Sequence, residues 1–268
     1  MIDSIAFSIF GIDIAWYGIC IALGMLGAIW ICTKTCKYYS WTPDDIFDVA
    51  LFGIPAAIVG ARIYYVVFEW KQQYANDILS IFNLRQGGLG IIGGIIGGVL
   101  AGAIYCKVKK KNFIELLDIV MPTIAFGQFM GRWGNFFNQE AYGPIITNPS
   151  FQWFPFAVFI EQTNTYHNAL FFYESIWCLF ICVFLLMMRK KFKYLGDVSV
   201  MYVLLYSFER MLIEGMRVDS LYLGSFRVTQ VLMAVLFVAS IIYLLVRYIK
   251  YKDSPVTNVA NPNYFKQL

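Results

Sequence analysis

Long stretches of this chain carry almost no polar residue. Seven apolar runs of about 17–22 residues stand out, close to the roughly 20 a helix needs to cross hydrocarbon. They cover 14–33, 46–67, 87–106, 113–131, 169–188, 198–214 and 228–247. The fourth and sixth are interrupted by polar side chains. Between the runs, the basic residues set a direction. Lys34 and Lys37 follow the first run, and Lys107, Lys109, Lys110 and Lys111 separate the third from the fourth. Arg189, Lys190, Lys191 and Lys193 separate the fifth from the sixth, and Arg247, Lys250 and Lys252 follow the seventh. If the runs alternate across a membrane, all of these fall on one face, which the positive-inside rule makes cytoplasmic. An even number of runs would scramble that segregation.

The predicted fold class is therefore all-α: a polytopic membrane helix bundle of seven transmembrane helices, N-terminus outside and C-terminus cytoplasmic. One membrane domain is expected over 1–252, with outer loops at 68–86 and 132–168 that are poor in Lys and Arg. A short cytoplasmic tail follows at 253–268. No repeat divides the chain into two transporter-like halves.

Composition agrees with this pattern. Of 268 residues, 59% are hydrophobic, 18% aromatic and 14% charged, whereas a soluble domain is roughly 45–50% apolar and about a quarter charged. The net charge of +4 is small, so its distribution matters more than its size. Asp3 and Asp13, not basic residues, precede the first run, and no small-residue cleavage pattern follows it, so a cleavable signal peptide is not expected. The cysteines lie in apolar runs or at their ends. Cys32/Cys36 and Cys178/Cys182 are each four apart, yet no carboxylate lies beside either pair and the only histidine is His167. They read as buried small hydrophobes, without a disulfide framework. No metal or other cofactor is expected. No serine nucleophile elbow is present, and no basic surface with interleaved aromatics suggests nucleic acid.

Candidate chemistry begins where the fourth run ends, at GRWGNFFNQEAYG (131–143). Charges at bilayer depth are costly and are kept mainly for function or for a specific pairing. Arg132, Asn135, Asn138 and Glu140 crowd this segment. Alternating topology brings two further segments to the same outer face: ALFFYES (169–175), with Glu174, and YSFERMLIEGMRVDS (206–220), where Arg210, Glu214 and Arg217 recur at helical spacing. Two readings follow. The arginines could pair with Glu140, Glu174 or Glu214 and hold the bundle together. Alternatively, arginines and amides enclose an anion, since guanidinium donates two parallel charge-assisted bonds to a phosphate. In a membrane the abundant phosphate is a phospholipid headgroup. Three more features keep two readings each. Arg62, in GARIYYVVFE (60–69), either snorkels to the interface or binds an anion. Gly90, Gly93, Gly94, Gly97 and Gly98 either let helices approach closely or floor a headgroup site. Trp16 and Tyr17 fit an aromatic belt.

GRWGNFFNQEAYG resembles the signature of bacterial prolipoprotein diacylglyceryl transferases, Gly-Arg-x-Gly-Asn-Phe-x-Asn-x-Glu-x-x-Gly, and matches each fixed position from Gly131 to Gly143. The likeness extends through WYG, GARIYYVVFE, GGLGIIGGIIGG, LFFYESIW, ERMLIEGMRVDS and RVTQ. It implies a multi-pass enzyme of the bacterial plasma membrane. Such an enzyme moves a diacylglyceryl group from phosphatidylglycerol to the lipobox cysteine of a preprolipoprotein, releasing glycerol 1-phosphate. By motif, Arg132, Arg210, Glu140, Asn135 and Tyr17 are the implied catalytic residues. Asn138, Gly143, Tyr206, Glu174, Glu214, Arg217, Arg62, Gly93 and Gly94 are implied to contact substrate along with Arg132. Partners would be phosphatidylglycerol, the lipobox segment and membrane lipids, with no nucleic acid. Many relatives carry a histidine cast as thiol base where this chain has Ile92. His167, one residue out of step with a family histidine, is a weak substitute. An arginine-rich pocket could replace the base in part, because a nearby cation raises the thiolate fraction. The rival from another class is a phospholipid or anion transporter using the same arginines; a third reading is a non-catalytic packing protein.

Overall fold

The computed structural model describes residues 4–75, 77–83, 87–217, 222–223 and 226–250. The tail expected at 253–268 and the end of the 206–220 segment lie outside the described residues. Among them run seven α-helices of 18 to 26 residues: α1 Trp16–Thr35, α2 Pro43–Phe68, α3 Ile91–Lys109, α4 Phe113–Phe137, α5 Leu170–Met188, α6 Asp197–Glu214 and α7 Val228–Lys250. Three antiparallel two-stranded hairpins accompany them: β1 (Ile5–Ile9) with β2 (Ile12–Ala15), β3 (Ala157–Ile160) with β4 (Thr165–Asn168), and β5 (Tyr222–Leu223) with β6 (Phe226–Arg227). Six helices are long and apolar enough to cross a membrane. The exception is α6, which carries Asp197, Glu209, Arg210 and Glu214. Large apolar side chains cover the outside of the helices; on α7 they include Leu232, Val235, Ile242, Leu245 and Ile249. Such a surface suits lipid and not water.

Local signals set the helix ends. Thr42 caps α2 in a reciprocal box with Asp45, and Pro43 occupies the first turn, where a missing N–H costs nothing. Lys110 ends α3 in the left-handed region at φ 55°, and Gly196 starts α6 at φ 94°. Two boundaries differ from the sequence expectation by more than three residues. The glycine-rich segment enters its helix only at Ile91, because Gly87 and Gly88 turn the chain at φ 80° and 75°. At the other difference, α4 continues to Phe137. Arg132 and Asn135 therefore sit on the last turns of a helix, and the loop begins after them.

Among the described residues the chain packs as two compact units, one within residues 4–31 and 117–250, the other within 32–116. In the second, α2 and α3 approach backbone to backbone. A Cβ on Gly60 would lie 3.2 Å from Cα of Gly97, and one on Gly93 would strike the Gly60 carbonyl. Small residues at this spacing allow such contact in lipid. At the base of this unit Trp41 donates to Glu115 at 3.0 Å and Lys111 pairs with Asp45 at 2.8 Å.

The first unit is built on α4, α5 and α6, whose core gathers Ala125, Ile181, Cys182, Leu185, Val198 and Tyr202 around Ile31 of α1. The cysteines are free and buried, as small hydrophobes should be. Asp118, early in α4, accepts from the backbone N–H of Gly196 (2.7 Å) and Ser199 (3.0 Å), closing the exposed donors at the start of α6. That fixes α6 against α4 in register. Fourteen residues further along α4, about 21 Å at 1.5 Å per residue, comes Arg132.

Candidate active site

Near the C-terminal ends of α4 and α6, two arginines and two glutamates form a ladder. Glu174, on the second turn of α5, is only 2% exposed. One of its oxygens contacts Arg132 Nε, and the other takes a 2.6 Å bond from Arg210 Nη1. Arg210 Nη2 then reaches Glu214, one turn on, at 2.8 Å. Sequence could place these groups on one face but could not choose the partners. The structure pairs the arginines with Glu174 and Glu214, not with Glu140. Burying such ions is expensive unless they are paired, so Glu174 holds both arginines in place and Glu214 adds a second hold on Arg210. Among the described residues, Arg132 Nη2 has no protein acceptor, which leaves guanidinium donors for a ligand.

The signature segment continues the ladder as neutral amides. Arg132 Nη1 points at Asn135 Oδ1 (3.5 Å), and Asn135 Nδ2 donates to Glu140 Oε1 at 2.8 Å. Asn138 Nδ2 reaches the same oxygen at 3.4 Å. Helical spacing explains the alternation in GRWGNFFNQEAYG. Arg132 and Asn135 share one face, while Trp133 and Phe136 turn to another and pack with Val158, Ile160 and Phe171. Past the helix the chain reverses through Gln139 and Ala141, both at positive φ (52° and 57°). The Asn135–Glu140 bond spans that reversal. Gly143 closes the turn: its N–H donates to Asn168 O at 3.0 Å, and a Cβ there would meet Leu170 at 2.9 Å.

Tyr17 joins from α1. Its ring lies over Gly134, where a Cβ would come within 2.7 Å of it, and it is close enough to feel the charges of Glu140 and Arg132. Trp16 beside it stacks on Phe137 with ring centroids 5.1 Å apart. Tyr206 stacks on Tyr202 at 5.7 Å, one turn before Arg210. Arg217 is half-buried just past α6.

Three expected residues belong to the second unit. Arg62 gives Nε to Ile81 O, Nη1 to Gly87 O and Gly88 O, and Nη2 to Ser80 O and Asn83 O, all at 2.7–3.1 Å. Guanidinium has five N–H donors, and all are committed to backbone carbonyls. In this geometry Arg62 staples a loop and offers nothing to an anion. Gly93 and Gly94 face α2, and close helix packing accounts for them. Ile92 is an exposed residue in the first turn of α3.

His167 is held as structure. Its Nδ1 meets the Gly143 carbonyl at 2.8 Å, so that nitrogen carries the proton, and Nε2 sits 3.0 and 2.9 Å from the Thr163 and Thr165 hydroxyls. Sequence reasoning overlooked Glu209, 7% exposed on α6 beside Arg210. Its only signal was one more charge inside an apolar run.

The family described as prolipoprotein diacylglyceryl transferase matches residues 4–246. The chain belongs to that family. Phosphatidylglycerol–prolipoprotein diacylglyceryl transferase of Clostridium botulinum (strain Loch Maree / Type A3) is 44% identical over 246 residues, 90% of this chain and 96% of the relative. The enzyme of the same name from Clostridium kluyveri (strain ATCC 8527) is 45% identical over 243 residues, 89% and 94% of the two chains. Like a membrane-resident diacylglyceryl transferase, the protein is a multi-pass cell-membrane protein with six helices fit to cross a bilayer. The transferase signature lies at the end of α4, and its polar face joins the ladder to α5 and α6.

Proposed function

We propose that this chain transfers the diacylglyceryl group of phosphatidylglycerol to the lipobox cysteine thiol of a preprolipoprotein. A thioether forms and glycerol 1-phosphate leaves, the first step of lipoprotein maturation. The observation that carries this reading is the Arg132–Glu174–Arg210–Glu214 ladder, continuous with the Asn135–Glu140–Asn138 amide cluster. Arg132 and Arg210 hold the phosphate and offset the charge that grows on it as the carbon–oxygen bond breaks. Asn135, Asn138, Tyr17 and Tyr206 orient the glycerol, Glu140 fixes the two amides, and Gly143 keeps the turn tight. Arg217 lies within reach of the lipid headgroup on the loop after α6. The nucleophile belongs to the acceptor, and a guanidinium nearby raises the thiolate fraction of a group whose pKa is ordinarily ~8.5.

The same reading takes α6 as a seventh membrane span, with the N-terminus outside and the C-terminus cytoplasmic. Support comes from the one-sided Lys and Arg between helices and from the pairing of Arg210 and Glu214 within α6. Residues 1–252 then act as one membrane domain, and 253–268 as a cytoplasmic tail. A lipid or anion transporter is not favoured, since family membership points to a transferase. The test is transfer of labelled diacylglyceryl from phosphatidylglycerol to a lipobox peptide in detergent. Transfer by the wild type is expected, with Arg132→Ala and Arg210→Ala both defective. A folded wild type that transfers nothing sinks the reading.

A further inference from the structure

Glu209 is more than nine-tenths buried, and among the described residues neither of its carboxyl oxygens meets a hydrogen-bond donor. Buried polar groups are otherwise satisfied almost throughout proteins, so this exception calls for an explanation. Its surroundings are those of the ladder. Arg132 from α4, Glu174 from α5 and Arg210 from its own helix are the charges acting on it, and Cys178 of α5 lies within its field. From α7, no titratable side chain occurs between Arg227 and Tyr243.

Charge counting shows why Glu209 stands apart. Arg132 and Arg210 are already balanced by Glu174 and Glu214. An ionised Glu209 would put an unpaired negative charge beside Arg132 and Arg210, while Arg227 is engaged through Nη1 at the Glu214 carbonyl, and a phosphate monoanion would then enter against that charge. A buried carboxylate with no partner escapes its desolvation cost by taking a proton. As a neutral acid it becomes a hydrogen-bond donor, a use of a carboxyl group that apolar sites support.

We propose that Glu209 is a further residue of the anion site, held as the neutral acid, whose O–H donates to a phosphate oxygen of phosphatidylglycerol. This deepens the reading given under Proposed function and rests on it. Raising the pH strips that proton, which adds a negative charge and replaces a donor with an acceptor. Both changes oppose phosphate, so KM for the lipid must rise with pH. In E209Q the amide keeps a donor and carries no charge. In E209M the shape is kept and the donor is lost.

The test measures KM for phosphatidylglycerol and kcat with the full-length enzyme in mixed micelles, with a lipobox peptide as acceptor, from about pH 6 to pH 9, the range in which buried glutamates are known to titrate. The wild-type KM should climb roughly tenfold or more, one added charge near the phosphate being worth at least that factor. E209Q should flatten the climb, and E209M should be flat at a KM raised roughly tenfold over E209Q. Wild-type and E209Q profiles that run parallel would overturn the proposal. So would an E209Q that is folded yet inactive at every pH, or an E209M with the KM of E209Q. Failure of Glu209 alone leaves a transferring wild type, whereas a wild type that transfers nothing overturns this proposal and the activity together.

Discussion

The protein buries arginines in two different ways. Arg62, in the unit of α2 and α3, gives all five guanidinium donors to backbone carbonyls of one loop and adds a cation–π contact to Tyr74 at 5.3 Å. Arg132 and Arg210, in the other unit, share the side-chain carboxylate of Glu174, and Arg210 pairs with Glu214 as well. A backbone carbonyl cannot leave without unmaking the loop. A carboxylate can slide along a guanidinium fork, or share it with a phosphate, while its helix stays in place. Saturation by backbone makes an arginine part of the scaffold; pairing with movable acids keeps it available for chemistry.

The contrast can be broken at several points. Its sharpest test replaces Arg132 or Arg210 by alanine, which should cut transfer by about 10²–10³-fold, equal to about 2.7–4 kcal/mol of transition-state stabilisation. The measurement is kcat/KM on folded enzyme, because a buried Glu174 that loses one of its two arginines also destabilises the bundle. Next comes Arg62→Ala, with about 3 kcal/mol lost from thermal or denaturant stability as five charge-assisted bonds disappear. Its transfer per folded molecule should fall less than about tenfold, since no donor of Arg62 faces a ligand. A loss as large as that of Arg132→Ala would end the distinction. Gly93→Ala should cost about 1–3 kcal/mol by forcing α3 off the Gly60 backbone, read as lower thermal stability with little change in KM. The smallest effect is expected from His167→Gln, less than about tenfold on kcat, because general-base loss would cost about 10²–10⁴-fold and His167 only bridges Gly143 to two threonines.

Much of this architecture was legible in the chain. Seven apolar runs near membrane length anticipated the helices, six of which are long and apolar enough to cross a membrane. The glycine-rich entry to α3 was not legible, because Gly87 and Gly88 fit an apolar run but turn the chain at positive φ. The end of α4 was hidden too, because polar residues inside a run resemble a loop until their 3.6-residue spacing is matched to a packed face. The signature itself could be read almost completely, down to Gly143, since each of its positions is local. Glu209 could not, since the lack of a partner is a property of the packed helices and not of its neighbours in sequence.

Sequence by itself determined that this is a helical membrane protein carrying the family signature, because hydrophobic length, charge placement and motif spacing are local quantities written along the chain. Only the tertiary structure decided which acids hold which arginines, that Arg62 is closed by a loop, and that one glutamate is buried alone. Those outcomes depend on side chains separated by tens of residues meeting at a few ångströms, in a medium where every unpaired charge or donor is costly.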